Sequence, residues 1–526
     1  MTQREAADIP LPQRSIMQSE WSHSSHIKHE SRHIFNKLHS IASDSTFIRR
    51  IHDRYPSLIL TCNLRAGGWY TDPDITSDVS YFKSTDGHTH QWSFSLKRSN
   101  LHLIPRILCA GGALIVDSTR RGKSMPDALS KTIPIWCTVL NKASRRKYGV
   151  PSDEGSALVT PEWMIPPTEH DQIEARIDGF VDSLLNSDLQ VPKLDKVLKP
   201  MFITPQTDLN TLPISFGTGE FTPIVLVSAS RFVSDSADLT DGDLKEGGNE
   251  GGQGFVYVQG AGDDHENWAR GLTPDIFWEH RAELLACRKD NLEALVDRLV
   301  AGQRLKGGAG AHWFTPLGLQ NCRGEDSADG REYDTEVGET GICIGSRAAD
   351  HPFTAEEKIR YNLIIHLTNI APPADKGLPG KLSSLKLIDS TTRQQIYPVH
   401  MAPNKKGLSS IRTAFSPAIA LAHSTLTAVS FPTTQRQKVL VCCQDGKDLS
   451  GSLVVAILAS CFTDKRELVY DKANLELHRQ QLSKDTMRRR LQWLISANPR
   501  AAPSRAFLLR VNELLLSQQH RPLQQT

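Results

Sequence analysis

One unit recurs along this chain: a short apolar run, a polar loop, then a stretch with helical patterning. The runs are SLILTCNL (57–64), GGALIVDST (111–119), PIVLVSAS (223–230) and KVLVCCQDG (438–446), each bounded by turn residues in the manner of strands. Alternation of strand and helix restricts the architecture to α/β, where helices cover the faces of a largely parallel sheet. Length then sets how many such sheets to expect. With 526 residues the chain exceeds what one core serves, which predicts two or three domains.

The segment SDSADLTDGDLKEGGNEGGQG (234–254) is acidic, glycine-rich and poor in apolar residues, and reads as a surface loop; 306–339 has the same character. GFVYVQGAG (254–262) reads as a strand beside PIVLVSAS, and 274–299 as helical. GICIGSR (341–347) resumes a strand pattern at the close of the first large domain. NLIIHLTN, SLKLID and KVLVCCQDG supply strands beyond it, with SGSLVVAILASCF and TMRRRLQWLISA as helices. The expected division is an extension over 1–32, a catalytic domain over 33–350 and a second domain over 351–526.

Charge and cysteine usage narrow the class. Lys plus Arg number 61 against 59 Asp plus Glu, a net +2, which excludes a globally basic nucleic-acid coat and leaves only local basic surfaces. The candidates are SRRKYG (144–149), Arg488 to Arg490, and the surroundings of Arg500, Arg505 and Arg510. Nine cysteines, an odd number with Cys442 and Cys443 adjacent, do not form a disulfide framework and suit a reducing compartment. No run approaches the roughly 20 apolar residues of a membrane span, and MTQREAADIPLPQRS lacks the apolar stretch of a secretory signal. The expectation is a soluble cytoplasmic protein without a membrane partner. His23, His26, His29, His33 and His39 recur at helical spacing, but no Cys or Asp accompanies them in a metal-binding arrangement, so they read as a solvated helix face.

The sharpest local signal is KVLVCCQDGKDLSGSLVVAIL (438–458). A strand delivers Cys443 into a loop holding Asp445, Gly446, Lys447 and Asp448, and a helix starts at once by Ser450. Loop and helix N–H groups then converge on one point, a geometry that binds phosphate. It is similar to the Cys-x5-Arg loop of dual-specificity phosphatases, with one departure: Leu449 stands where those enzymes place arginine. Lys447 can add charge only as a point donor, and YPVHMAPNKKG (397–407) offers His400 but no aspartate as general acid. A thiol without its cation stays protonated. The reading is a phosphate cradle that no longer hydrolyses; the alternatives are an active phosphatase and a buried structural cysteine.

A second loop follows GGALIVD. Asp117, Ser118, Thr119, Arg120, Arg121 and Lys123 place a carboxylate, hydroxyls and cations at a strand's carboxyl end, which suits an anionic ligand with a divalent metal. Asp117 occupies a position where a Walker A loop needs glycine. The loop also half resembles the phosphoribosyl-diphosphate loop of type I phosphoribosyltransferases, which usually carries two adjacent acids. A solvated surface loop is the bland alternative. SYFKSTDGHTHQ (80–91) adds Asp86 and His88 as candidate general bases. YVQGAGDDHENW (257–268) adds Asp263 and Asp264, paired carboxylates of the kind that hold Mg²⁺ through water. For both windows the alternative is a turn with capping aspartates.

Taken together, NLRAGGWY, YFKSTDGHTHQWSFSLKRSNLHL, IVDSTRRGKSMPDALSKTIPIWC, YVQGAGDDHENWARGLTPDIFW, VCCQDGKDLSGSLVVAIL and ANPRAAPSRAFLLRVNELL resemble the fungal and plant initiator tRNA phosphoribosyl transferases, over about 33–516. The resemblance implies a large N-terminal α/β catalytic domain and a C-terminal α/β domain like dual-specificity phosphatases. It implies transfer of a 5-phosphoribosyl group from phosphoribosyl diphosphate to the 2′-hydroxyl of a T-stem purine in initiator tRNA, which bars that tRNA from elongation. On that footing Asp117 to Lys123, helped by Asp263 and Asp264, are assigned to pyrophosphate and Mg²⁺. The loop Cys443 to Ser450 is assigned to the 5′-phosphate or another substrate phosphate, and Asp86 or His88 to the base. The two loops could exchange roles. Rival readings are a Cys443-dependent phosphatase and a catalytically inactive tRNA-binding protein.

Overall fold

The computed structural model describes residues 33–64, 66–76, 78–150, 156–213, 219, 221–234, 245–246, 254–305, 334–368, 395–401, 404–428 and 436–516. Two five-stranded sheets organise them. The first contains β1 (Ile59–Asn63), β2 (Asp78–Ser80), β3 (Ala113–Asp117), β4 (Val197–Ile203) and β5 (Phe221–Ser228) in the order β2-β1-β3-β5-β4. All neighbouring pairs are parallel. A parallel strand covered on both faces needs an unbroken apolar run, and Ala113, Leu114, Ile115 and Val116 of β3 are all fully buried. Leu114 and Val116 share a core with the helix Ile34–Arg54. Ala113 and Ile115 face the helices Ile133–Tyr148 and Pro167–Leu185.

A short ribbon pairs β6 (Lys245–Glu246) with β7 (Phe255–Val256). The second sheet contains β8 (Thr335–Glu336), β9 (Ile342–Ser346), β10 (Leu363–Thr368), β11 (Gln395–His400) and β12 (Val439–Cys443), ordered β11-β10-β12-β9-β8. Its pairs are parallel except β8 with β9. From Ser450 to Cys461 every residue of the helix Asp448–Cys461 is buried, as expected of a helix apolar on all sides and central in its domain.

Several expectations need correction. GICIGSR is β9 and pairs with β12, so the boundary lies before Asp334 and not near Asp350; strand pairing outranks the low-apolar stretch used to place it. GFVYV does not pair with PIVLVSAS: β7 meets β6. The helical stretch 274–299 is broken into Pro274–Glu279, Arg281–Ala286 and Lys289–Leu305. His39 is buried against Phe35 and Phe255, not solvated, and burial lowers its pKa. His33 caps its helix, its ring accepting the Phe35 N–H. SLKLID, the extension 1–32 with its three histidines, and most of both acidic loops lie outside the described residues. Among the described residues no helix is long and apolar enough to cross a membrane.

The basic clusters are largely committed elsewhere. Arg146 pairs with Asp178 and Asp182. Arg490 is fully buried, bonded to Asp464 and the carbonyls of Leu458 and Phe462, and stacked 3.9 Å from the Trp493 ring centroid. Arg489 reaches Asp188 of the first half at 3.5 Å. The helix Lys484–Ala497 thus meets the first half directly, and Ser496 Oγ lies 2.7 Å from Ser99 Oγ.

Candidate functional site

Chain order reverses between β1 and β3, since β2 adds on one side and β5 and β4 on the other. In doubly wound sheets the crevice outside the strands' carboxyl ends at such a point is where ligands bind. Here those ends carry Asn63 and Asp117, both fully buried, with Asn63 Nδ2 donating to Asp117 Oδ2 at 2.8 Å. The other oxygen, Oδ1, accepts the Ser118 N–H at 2.9 Å. Asp117 therefore holds the switch point together from inside and fixes where the loop after it leaves the sheet.

That loop is braced on two sides. Ser118 Oγ lies 2.7 Å from Ser230 Oγ, the Gly122 N–H donates to Val233 O, and Gln259 Nε2 donates to Lys123 O at 2.6 Å. Gly260, at φ +65°, brings the 260–264 turn backbone to backbone against Thr119, leaving no room for a Cβ. Thr119 is buried, whereas Arg120 and Arg121 are exposed. The result is a rigid loop that presents arginines to solvent at the crevice mouth.

Asp263 and Asp264 follow Gly260 and face Lys37: burial lowers that ammonium's pKa and the two carboxylates pull it back up. Among the described residues no group of three His, Cys, Asp or Glu side chains could hold a metal ion. With Asp117 sealed inside and Asp263 and Asp264 under the influence of the Lys37 charge, these side chains do not form a preformed Mg²⁺ site.

Asp86 and His88 sit on a 3₁₀ turn, Ser84–Gly87, and just after it. Asp86 approaches Arg98 at 4.0 Å in a hollow also lined by Tyr81, Phe82 and Trp136. His88, 46% exposed, points Nε2 at Asp127 Oδ2, 3.7 Å away. Asp127 in turn binds Lys123 at 3.0 Å and Lys131 at 3.1 Å, and Lys131 reaches Glu169 at 3.1 Å. Lys131 and Asp127 are both buried. Sequence reasoning missed Asp127, Lys131 and Glu169. The signal for the first two was present: Lys123, Asp127 and Lys131 are spaced by four, which stacks them on one helical face. Lys131 lies in the turn Ala128–Thr132 and Asp127 stands at its N-cap position; that turn is π-helical, a form that occurs often at functional sites.

In the second half β12 ends at Cys443, and Gly446 turns the loop at φ +65°. Asp445 folds back into the loop: its Oδ1 accepts from Lys447 N–H at 2.9 Å and from Cys443 Sγ at 3.2 Å. Ser450 Oγ lies 3.0 Å from the same sulfur. Burial, then the Asp445 charge, pushes the Cys443 pKa up to about 11 against a smaller opposite pull from Ser450. The thiol is thus protonated at neutral pH and no nucleophile. Leu449, at the arginine position, packs on the hydrophobic core, and His400 is exposed at the end of β11. Asp445, expected as a phosphate ligand, is instead a carboxylate occupying donors that a phosphate would use.

The segment 498–504 runs between the second loop's helix and the β1–β2 side of the first sheet. Ser504 N–H donates to Asp448 Oδ1 at 2.6 Å, and Pro503 closes on Gly451, at the start of the second loop's helix. Arg500 from the same segment reaches into the first half, where burial lowers its pKa while Cys62, Asp78 and Asp275 oppose that shift.

Fold and site define a two-part α/β protein, a doubly wound sheet with a ligand crevice joined to a sheet that carries a cysteine loop and helix. The profile described as the Rit1 N-terminal domain matches residues 27–301, and that described as the Rit1 DUSP-like domain matches 395–515. The chain belongs to the Rit1 family. An uncharacterized protein of Schizosaccharomyces pombe is 33% identical over 93% of this chain and 95% of its own length. A Saccharomyces cerevisiae protein named tRNA A64-2′-O-ribosylphosphate transferase is 29% identical over 93% of each. Among solved structures, a mouse putative dual specificity phosphatase complexed with zinc tungstate covers 37% of this chain and 94% of its own, with 15% identity and a TM-score of 0.24. The Yvh1 phosphatase domain of Chaetomium thermophilum covers 35% and 96%, with 15% identity and a TM-score of 0.24.

Proposed function

We propose that this chain is a tRNA-modifying pentosyltransferase. It moves a 5-phosphoribosyl group from phosphoribosyl diphosphate to the 2′-hydroxyl of purine 64 in the T stem of initiator tRNA, in the cytoplasm, and so withholds that tRNA from elongation. The observation that carries this reading is the near full-length likeness to the yeast transferase, which spans both loops.

In the reaction the 2′-oxygen bonds to C1 of the donor ribose while the bond from C1 to the diphosphate breaks. The hydroxyl proton passes to a base or to the leaving group. C1 gains cationic character and the diphosphate gains negative charge, so fixed cations near the leaving group lower the barrier. Arg120 and Arg121 are exposed on a braced loop at the crevice mouth, with Lys123 beside them, and this supports placing the diphosphate there. Mg²⁺ belongs to this reading as a companion of the diphosphate, whose negative charge it would offset when bound. His88 is the better-placed base, since Asp127 faces its Nε2 and leaves Nδ1 to accept a proton. The loop 443–450 takes the 5′-phosphate once Asp445 turns out, with Lys447 supplying charge.

Purified protein, total tRNA and phosphoribosyl diphosphate labelled in the ribose test the reading. Label entering initiator tRNA at a 2′-oxygen is the expected result. Retention of tRNA without transfer would favour the inactive tRNA-binding alternative.

A further inference from the structure

The described surface includes few large exposed apolar side chains, and two of them flank the same loop. Trp163 is 61% exposed and Phe232 is 41% exposed. Trp163 sits in a turn closed by hydrogen bonds from Met164 and Ile165 to Pro161 O, with Ile165 buried beneath. Phe202, near the end of β4, meets its ring edge-on at 5.9 Å. The neighbouring Met164 Sδ lies 4.0 Å from Ser124 Oγ. On the other side, Gly122 N–H bonds to Val233 O and Arg121 Nε to Ser234 O, which sets Phe232 beside the loop's arginines. The anchoring residues Gly122 and Ser124 are two apart, so their Cα atoms are within about 7 Å. Arg231, also exposed, lies over the Tyr257 ring at 4.4 Å.

The Trp163 ring rests on Phe202 and Phe232 precedes the anchored residues Val233 and Ser234; neither aromatic belongs to the core clusters. Exposed aromatic faces on either side of a loop that carries cations fit a ligand that presents flat rings and phosphates together. In A-form RNA the shallow minor groove displays ribose faces, 2′-hydroxyls and backbone, and arginines grip the phosphates. The rim also surrounds the loop to which the diphosphate is assigned, so an acceptor hydroxyl reaching that loop must lie across it.

We propose that Trp163, Phe232 and Arg231 form an RNA-docking rim, the aromatics packing on ribose faces of a stem and Arg231 holding its backbone. The inference rests on the transferase reading and specifies where its acceptor is bound. A fluorescently labelled RNA hairpin reproducing the T arm of initiator tRNA, and a DNA hairpin of the same sequence, are titrated with the full chain over a range of salt. Wild type should prefer the RNA. Trp163→Ala and Phe232→Ala should each weaken RNA binding by about tenfold, with the salt slope retained, and Trp163→Phe should restore most of it. Arg231→Ala should weaken binding and flatten the salt slope by about one unit. In transfer assays the losses should appear in KM for tRNA and not in kcat. Wild-type RNA binding that all three alanine variants retain would overturn the rim and leave the transferase reading standing. Loss of self-association with intact RNA binding would mark a protein interface and also overturn it. No RNA binding by wild type would remove both.

Discussion

Cys443 shows how one neighbour decides a side chain's chemistry. The phosphatase-like loop is intact in outline, but Leu449 replaces the cation that would stabilise a thiolate, and Asp445 adds a negative charge 3.2 Å from the sulfur. With its pKa near 11, the thiol should resist iodoacetamide at pH 7, and the protein should release no phosphate from an aryl phosphate. Mass spectrometry of the alkylated chain checks the first, and rapid modification of Cys443 would refute it. Asp445→Asn removes the charge and leaves only a neutral, weaker acceptor for the loop donors, so affinity for inorganic phosphate should rise by about tenfold in calorimetry. In the other loop Asp117 acts from within. Asp117→Ala unties Asn63 and Ser118 and should slow transfer by more than about tenfold, or roughly 1.4 kcal/mol of transition-state stabilisation. Lys447→Ala should do the same through lost charge, and near-normal rates in both variants would discard these assignments.

The helix Ala355–Arg360 carries a pH-sensitive connection to the same loop. Glu357 closes its capping box and receives Arg347 at 2.7 Å. The Arg347 N–H in turn holds Cys443 O at 2.9 Å. Burial alone would raise the Glu357 pKa, but the Thr354 N–H and Arg347 outweigh it and hold it at about 2, below the ordinary 4.5. A depressed carboxylate stabilises the fold above its unfolded pKa and loses that contribution as pH falls towards the folded value. The urea midpoint of wild type should therefore fall between about pH 4.5 and pH 2, and Glu357→Gln should flatten that limb. Elements of this kind were partly legible in advance. β1, β3, β5, β10 and β12 stand out because parallel strands buried on both faces leave continuous apolar runs, and the helix Asp448–Cys461 stands out for the same reason. β9 was legible as a strand but not as a member of the second sheet, because partner choice is a long-range property that GICIGSR does not encode locally. Asp127 was overlooked because Ser118 to Lys123 form the denser polar cluster, while its buried contacts to His88, Lys123 and Lys131 exist only once the π turn packs beneath the 84–88 turn. The inward turn of Asp445 was not legible because a loop's sequence does not reveal which of its carboxylates turns inward.

Joining two sheets into one working unit places unusual demands on 498–504, a segment short of regular structure. It touches the start of the second loop's helix through Ser504 and Pro503 and sends Arg500 towards Cys62 and Asp78, in β1 and β2 beside the switch point. Interfaces between domains of one chain are commonly modest and permit relative motion, so a half-buried cation reaching from one side to the other has a large share in fixing their mutual position. The lowered Arg500 pKa records a desolvation cost that the facing Asp78 and Asp275 charges offset. Removing the guanidinium leaves those carboxylates without it at the contact, whereas each sheet keeps its own core. Arg500→Ala should therefore leave the far-ultraviolet circular dichroism of the chain unchanged, split thermal unfolding into two transitions, and reduce phosphoribosyl transfer far more than tRNA binding. Calorimetry and the labelled-donor assay check the pair of effects together. If the variant unfolds in the same manner as wild type and transfers at the wild-type rate, the two loops work independently and the 498–504 segment is only a connector.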